Sequence, residues 1–464
     1  MIYCINIMFS LLVPVLIGYM LLSLIAKDGR IKALEMLALS YIIGSGIFSL
    51  SMLFLGILGI PLEVRNIILP WFIFLALFSG YVLINKLKVF DLHGIAGLIP
   101  SLLRVSWHEM VFIVLILLRI SYSFIETLIK PVWGCDSFVT WSMRAKIFFY
   151  ESGLSISKAK GCLLGSGHTD YPINIPLLET WIAKMIGRWD DVAIKIIFPL
   201  MFLSFIIIFY SSLRIFLPRF QSLVGTYLLT ALPLFTFHST TEYADLPVSI
   251  YFVSGFLFLL RYIKDRKRGD FMIFCILSAL AAWTKNEGLM LLIVNLLLLG
   301  TYMFMNDIKT KERTLNFMIY IISLLVISLP WYIFRTIVGV PTYGDQVPQL
   351  TKAVEYSARI PVIINSLFNR DFLYGHWGIS WFVFIIVLIF SINNIKRIQD
   401  FYPLLAIFLC FIAFFLVYYL TNSYVFLIDG TAVNRNTLIY MPLLVFYISV
   451  NLPQIAALKK SHDI

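Results

Sequence analysis

Asp136 stands in Trp133-Gly-Cys-Asp-Ser-Phe-Val-Thr-Trp141, a polar stretch framed by two tryptophans and followed by Arg144 and Lys146. A carboxylate just past an apolar run suits a general base that takes a proton from an acceptor hydroxyl at a membrane surface. Such a base typically contributes about 10²–10⁴-fold in rate. Asp136 or Ser137 equally suits a helix N-cap, where a side-chain oxygen satisfies free backbone N–H groups. Two further acidic clusters follow, His168-Thr-Asp170-Tyr171-Pro172 and Glu242-Tyr-Ala-Asp245-Leu-Pro247. In the first, Asp170 is a candidate second acid and His168 and Tyr171 are candidate substrate contacts. Asp shortly before Pro is also ordinary turn chemistry. In the second, Asp245 fits either substrate binding at a cavity mouth or the cap of the next helix.

Trp283-Thr-Lys285-Asn-Glu287-Gly288 sets one Lys and one Glu between two apolar runs. Lys285 suits a phosphate as a point charge, a pair with Glu287, or snorkelling. Glu287 is a further candidate substrate contact. Arg435 opens the last apolar run, and arginine suits bidentate contact with phosphate. No His/Cys/Asp/Glu spacing specifies a metal, so no cofactor is expected and a divalent cation has no support. The five cysteines are irregularly spaced and give no disulfide framework.

The elements that must position these residues are membrane helices. The 464-residue chain is 60% hydrophobic and 13% charged, with mean hydropathy +0.91. Soluble domains run near 25% charged, so the composition predicts an all-α polytopic membrane protein. The net charge of +11 comes without a basic arm interleaved with stacking residues, which excludes nucleic acid as a partner. Residues 1–26 lack a basic n-region and a cleavage site and read as an uncleaved span. Apolar runs near 3–26, 33–59, 66–85, 108–129, 192–211, 222–240, 245–262, 271–284, 288–305, 315–337, 378–393, 401–420 and 437–455 give about 13 helices.

More than half of the Lys and Arg lie in alternate linkers at 27–32, 86–104, 214–219, 261–268, 309–313, 396–397 and 459–460. The positive-inside rule puts those linkers in the cytoplasm and every candidate residue on the other side of a plasma (inner) membrane. Residues 172–187 would upset that parity if they crossed, so they are expected as a juxtamembrane or re-entrant helix. Residues 137–150 are expected as an interfacial amphipathic helix with Arg144 and Lys146 on its polar face. Together, residues 130–190 would cap the outer surface, lying on the bilayer. The domain expectation is an added N-terminal bundle at 1–107, a catalytic membrane core at 108–340, and an outer loop with C-terminal helices at 341–464. A loop as long as 340–376 is more often functional, or a lid, than filler.

In order and sidedness these motifs resemble the C-type polytopic glycosyltransferases, whose members include protein O-mannosyltransferases and the lipid A aminoarabinose transferase. The resemblance rests on an acid after a span with a helix behind it (Asp136, Trp141, Lys146). It continues with a Pro-bearing segment (Tyr171, Pro172, Pro176), Asp245-Leu-Pro247, the Lys285-Asn-Glu-Gly turn and Arg435. It implies inverting transfer of a sugar from a polyprenyl-phosphate donor to a glycan, lipid or protein acceptor on the extracytoplasmic face. Asp136 would be the base, Lys285 and Arg435 the lipid-phosphate ligands, and membrane lipid a constant partner. Two departures stand out: three spans precede the one that leads into the acidic loop, and Ser137 follows Asp136 where mannosyltransferases often carry a second acid.

The competing reading is a transporter, or a flippase or polymerase of lipid-linked glycans. Alternating access calls for ionisable groups near span centres and paired broken helices. Only Glu109, Arg119 and Arg335 read as mid-span charges, while the polar clusters gather on one face. That asymmetry favours a surface enzyme.

Overall fold

The computed structural model describes residues 2–26, 31–85, 105–154, 168–306, 308–340, 346–392 and 395–462. The basic linker at 86–104, most of 27–32, and the start of the long loop at 341–345 lie outside the described residues. The order is α1 (Ile2–Ile25), α2 (Ala33–Ile57), α3 (Val64–Ile84), α4 (Trp107–Ile129), α5 (Cys135–Val139), α6 (Trp141–Glu151) and α7 (Asn174–Ile186). Then come α8 (Ile197–Leu213), α9 (Arg219–Thr230), α10 (Pro233–His238), α11 (Asp245–Asp265), α12 (Arg268–Thr284), α13 (Glu287–Met305), α14 (Thr310–Ile327) and α15 (Leu329–Ile337). The chain closes with α16 (Arg359–Ser366), α17 (Ser380–Ser391), α18 (Ile398–Leu420), α19 (Tyr424–Ile428) and α20 (Val433–His462). The fold is an all-α polytopic membrane bundle.

Nine of the described helices are long and apolar enough to cross a membrane, or ten if the bent pair α14–α15 counts as one. Three further apolar runs fold into shorter helices. The runs near 222–240 and 378–393 give α9 and α17, each of 12 residues. At 1.5 Å per residue such a helix reaches about 18 Å, short of a hydrocarbon core of about 30 Å. The 222–240 run breaks before Pro233, which opens α10 instead of continuing α9. The third run, near 271–284, becomes the 17-residue α12.

Helix direction sorts the linkers. The starts of α11, α13 and α20 and the ends of α4, α12 and α18 meet at one end of the bundle. The basic segments at 214–219, 261–268, 309–313 and 396–397 lie at the other. Buried α11 forms the centre, packed on α8, α12 and α20. α2 is buried between α1, α7 and α8.

Small residues allow the closest approach. A Cβ on Gly44 would lie 1.8 Å from the Pro14 carbonyl oxygen, and one on Gly18 1.9 Å from that of Ser40. Backbone contact of this kind is the usual basis of helix association in lipid. Gly44→Val is therefore expected to cost more than the usual ~1–3 kcal/mol of overpacking. It should cut the yield of monodisperse protein in mild detergent, whereas Gly80→Ala, which faces open space, should leave that yield unchanged.

The cap differs from its expectation. Residues 137–150 are not one helix but two, broken at Thr140, where φ is −130° and ψ −65°. Arg144 is not on a wet face; it is fully buried. Its guanidinium donates to the carbonyls of Thr140 (3.1 Å) and Tyr171 (2.7 Å), with longer contacts to Thr169 and Pro172 at 3.4 Å. Those carbonyls replace water and pin the 168–172 turn onto α6. α7 does not lie on the bilayer either, since residues 174–183 are all buried. Trp181 donates to Ser10 O of α1, Ser49 of α2 donates to Asn174, and Asn174 donates to Thr284 of α12. α7 is a short helix wedged among spans.

Candidate active site

A cavity of about 1120 Å³ opens where those helix ends meet. It is larger than the ~300–1,000 Å³ typical of small-molecule pockets. Asp136, His168, Tyr171, Asp245, Lys285, Glu287 and Arg435 all line it. Seven residues spread over three hundred positions are thus brought together.

Their charges alternate in a row. Arg435 Nη2 lies 2.7 Å from Asp136 Oδ2 and 2.8 Å from Asp245 Oδ2. Lys285 Nζ lies 3.0 Å from Asp245 Oδ1 and 2.7 Å from Glu287 Oε1. Neither Asp serves as a cap: Gly134 and Ala244 occupy the N-cap positions of α5 and α11. The carboxylates are committed to cations instead. Asp245 is wholly buried, while the Asp136 side chain is 34% exposed. Burial works against the charge on Lys285, but Asp245 and Glu287 outweigh it and hold its pKa above the ordinary lysine value. Burial, and then the Glu287 charge, push the Tyr171 phenol well above its usual range.

Asp170 is also buried, but it lies behind the wall and does not line the cavity. It instead holds groups that do line the cavity. Arg335 donates to its carbonyl (2.8 Å) and Asn286 Nδ2 to its Oδ2 (3.1 Å), while His168 Nδ1 sits 3.7 Å from its Oδ1. Gln346 completes the wall, accepting from Asn286 and donating to Tyr171. Trp141 stacks on Tyr171 at 5.3 Å between ring centroids.

Arg335, Asn286 and Gln346 were not legible as site residues. Arg335 read as a mid-span charge because the 315–337 run looks continuous. The helix in fact bends by 41° between α14 and α15 and brings Arg335 to the cavity. Pro330, the second residue of α15, was the available signal. Glu109 is likewise no mid-span charge, because it closes a capping box with Ser106 in the first turn of α4.

Below the charged row the walls turn apolar. Leu289, Ile293 and Leu297 form an i, i+4, i+8 stripe on α13, facing Ile412, Leu416 and Leu420 of α18. Ile293, Leu297 and Leu416 are 55%, 49% and 43% exposed, so the groove is open to the side. Among the described residues no group of three or more His, Cys, Asp or Glu is placed to hold a metal.

The start of α20, which carries Arg435, is anchored from behind. Asp371 is buried and accepts from Trp377 Nε1 (2.6 Å) and Thr437 Oγ1 (2.9 Å). Burial raises its carboxyl to about 7, only partly offset by those two hydrogen bonds. An unfolded Asp titrates near 3.9, so between about pH 4 and 7 the folded chain holds the extra proton and stability falls as pH rises. Lowering pH from 8 to 5 should therefore raise the melting temperature, and Asp371→Asn should flatten that dependence. A wild-type melting temperature indifferent to pH in this window would contradict the assignment.

Residues 170–333 match the family model described as dolichyl-phosphate-mannose-protein mannosyltransferase. No curated protein and no solved structure matches the chain. The matched segment holds Tyr171 and three of the five charges of the row, Asp245, Lys285 and Glu287. Over that stretch, and within an all-helical membrane fold, the chain is similar to the protein mannosyltransferases, which are membrane glycosyltransferases of the C type.

Proposed function

We propose that the protein moves a sugar from a polyprenyl-phosphate donor to an acceptor hydroxyl on the extracytoplasmic face, with inversion at the anomeric carbon. One observation carries this reading: a row of alternating charges sits at the head of an apolar groove that is open to the side. The groove suits a prenyl chain, and the row suits the phosphate and the sugar beside it.

In this mechanism the donor phosphate draws on Lys285 and Arg435. Arg435 turns from Asp136 toward the phosphate, which leaves Asp136 able to accept a proton. The acceptor oxygen attacks the anomeric carbon from the face opposite the phosphate and gives its proton to Asp136. The bond between the anomeric carbon and the phosphate oxygen breaks, and its electron pair stays on that oxygen. The proton neutralises Asp136 as the phosphate gains a negative charge, so the net charge of the cavity does not change. Preorganised cations at the developing charge are usually the largest single catalytic contribution. His168, Tyr171 and Glu287 suit the sugar and acceptor hydroxyls, with Asn286, Arg335 and Gln346 beside them.

The basic linkers at the far end of the bundle support an extracytoplasmic cavity. Cys135 is a free, exposed thiol on the cavity wall. A membrane-impermeant maleimide should label it from outside intact cells, with Cys135→Ser as the control for Cys4. For the chemistry, purified protein is offered a panel of polyprenyl-phosphate hexoses and pentoses. The expected result is release of polyprenyl monophosphate and a product of inverted anomeric configuration by NMR. A retained configuration, or no turnover and no binding across the panel, would defeat the reading.

A further inference from the structure

The buried ion pair Lys195–Glu242 lies outside the cavity and has no part in the chemistry above. Both residues are fully enclosed, with Nζ to Oε1 at 3.0 Å. Each partner also grips the segment that carries Asp136. Lys195 Nζ donates to the carbonyls of Lys130 (3.0 Å) and Pro131 (3.3 Å), where α4 ends. At the other end of the segment, Ser137 Oγ donates to Glu242 Oε2 (2.9 Å) and approaches the Glu242 carbonyl (3.2 Å).

Residues 130–137 are thus fixed at both ends by one ion pair, and Asp136 is the penultimate residue of that tether. Between the anchors, Gly134 packs so closely on Tyr243 that a Cβ there would lie 2.6 Å from the ring. Glu242 precedes Asp245 by three residues, so the same strut ties the loop of Asp136 to the residue that holds Arg435 and Lys285. An ion pair buried this deeply is weak evidence for stability, because apolar replacements of both partners are often as stable. What it fixes here is a distance between two loops.

We propose that Lys195, Glu242 and Ser137 are positioning residues that set the Asp136 carboxylate against Arg435 and the acceptor. This inference rests on the reading of Asp136 as the base. A base misplaced by about 1 Å can cost on the order of 100-fold.

The test uses the full-length protein in detergent and the polyprenyl-phosphate sugar that the wild type turns over in the panel. Ser137→Ala is expected to lower kcat at least tenfold with donor KM and melting temperature unchanged, and Ser137→Thr should restore it. Lys195→Met/Glu242→Gln removes both charges together, so that neither is left buried alone, and should lower kcat in the same way. Alkylation of Cys135 by N-ethylmaleimide gives a second readout beside Asp136 and should change rate in Ser137→Ala but not in Ser137→Thr. A merely structural role would move the melting temperature and leave the ratio of kcat to KM per folded molecule intact. Wild-type kcat and Cys135 reactivity in both folded variants would overturn the proposal. If Asp136→Asn also kept full activity, the base assignment itself would have failed; if Asp136→Asn were inactive, only the strut would have.

Discussion

Asp136→Asn is expected to lower the transfer rate by about 10²–10⁴-fold, the range for loss of a general base, with the protein still folded and still binding donor. The amide keeps the size of the carboxylate, and its oxygen can still accept from Arg435 Nη2, which lies 2.7 Å from Asp136 Oδ2. The charged row therefore keeps its shape. Of the three carboxylates in that row, Asp136 is the one suited to take a proton. Asp245 is wholly buried and has both oxygens on cations, while Glu287 is held by Lys285 and receives a 3.5 Å contact from Tyr171. Asp136 is contacted through one oxygen and is a third exposed. The measurement is steady-state transfer alongside binding of polyprenyl monophosphate. The signature is a collapsed kcat beside a product affinity changed by no more than a few-fold. Near wild-type transfer would remove Asp136 as base and leave the cavity without an evident one.

The residues that sequence could find share a property: each interrupts hydrocarbon at the end of an apolar run. Asp136, Asp245, Lys285 and Arg435 all do so, and span parity alone puts them on one side. Their convergence follows because helix ends on one side of a bundle are close in space. What escaped depends on information that hydrophobic runs do not carry. Lys195 sits inside the run near 192–211, and nothing in its neighbours says that it reaches back to the carbonyls after α4. Arg144 looked like the polar face of a surface helix because its partners are backbone carbonyls, which leave no trace in side-chain patterning. α7 was expected as a juxtamembrane or re-entrant helix because a crossing would upset the parity of the basic linkers, and parity says nothing about whether a helix that does not cross lies on the bilayer or wedges among spans. The first three helices were legible as spans. Their packing was not: α2 contributes Ser49 to a polar chain running through Asn174 to Thr284, at the end of α12 just before Lys285.

Asp245→Leu should damage both the fold and donor binding, and separating the two effects tests whether the row is a phosphate site or only a structural lattice. Removing one partner from a buried ion pair typically costs about 3–5 kcal/mol, because the remaining charge loses its compensation. Here one substitution strips a partner from two cations, Lys285 at 3.0 Å and Arg435 at 2.8 Å. A large drop in thermal stability in detergent is therefore expected. Adding polyprenyl monophosphate should recover part of that loss, since a phosphate replaces the carboxylate that Lys285 and Arg435 shared, Glu287 and Asp136 being left to them, and a ligand bound to the folded state stabilises it by mass action. Asp245→Asn/Lys285→Met, which leaves Arg435 on Asp136 and Glu287, a fifth exposed, without its lysine, should recover part of that stability without ligand but not donor affinity. If the row were only structural, ligand would rescue neither variant, and the double variant would behave as wild type once folded. Rescue of Asp245→Leu by the lipid phosphate, but not by a neutral polyprenol of equal length, would assign Lys285 and Arg435 to the phosphate rather than to the chain.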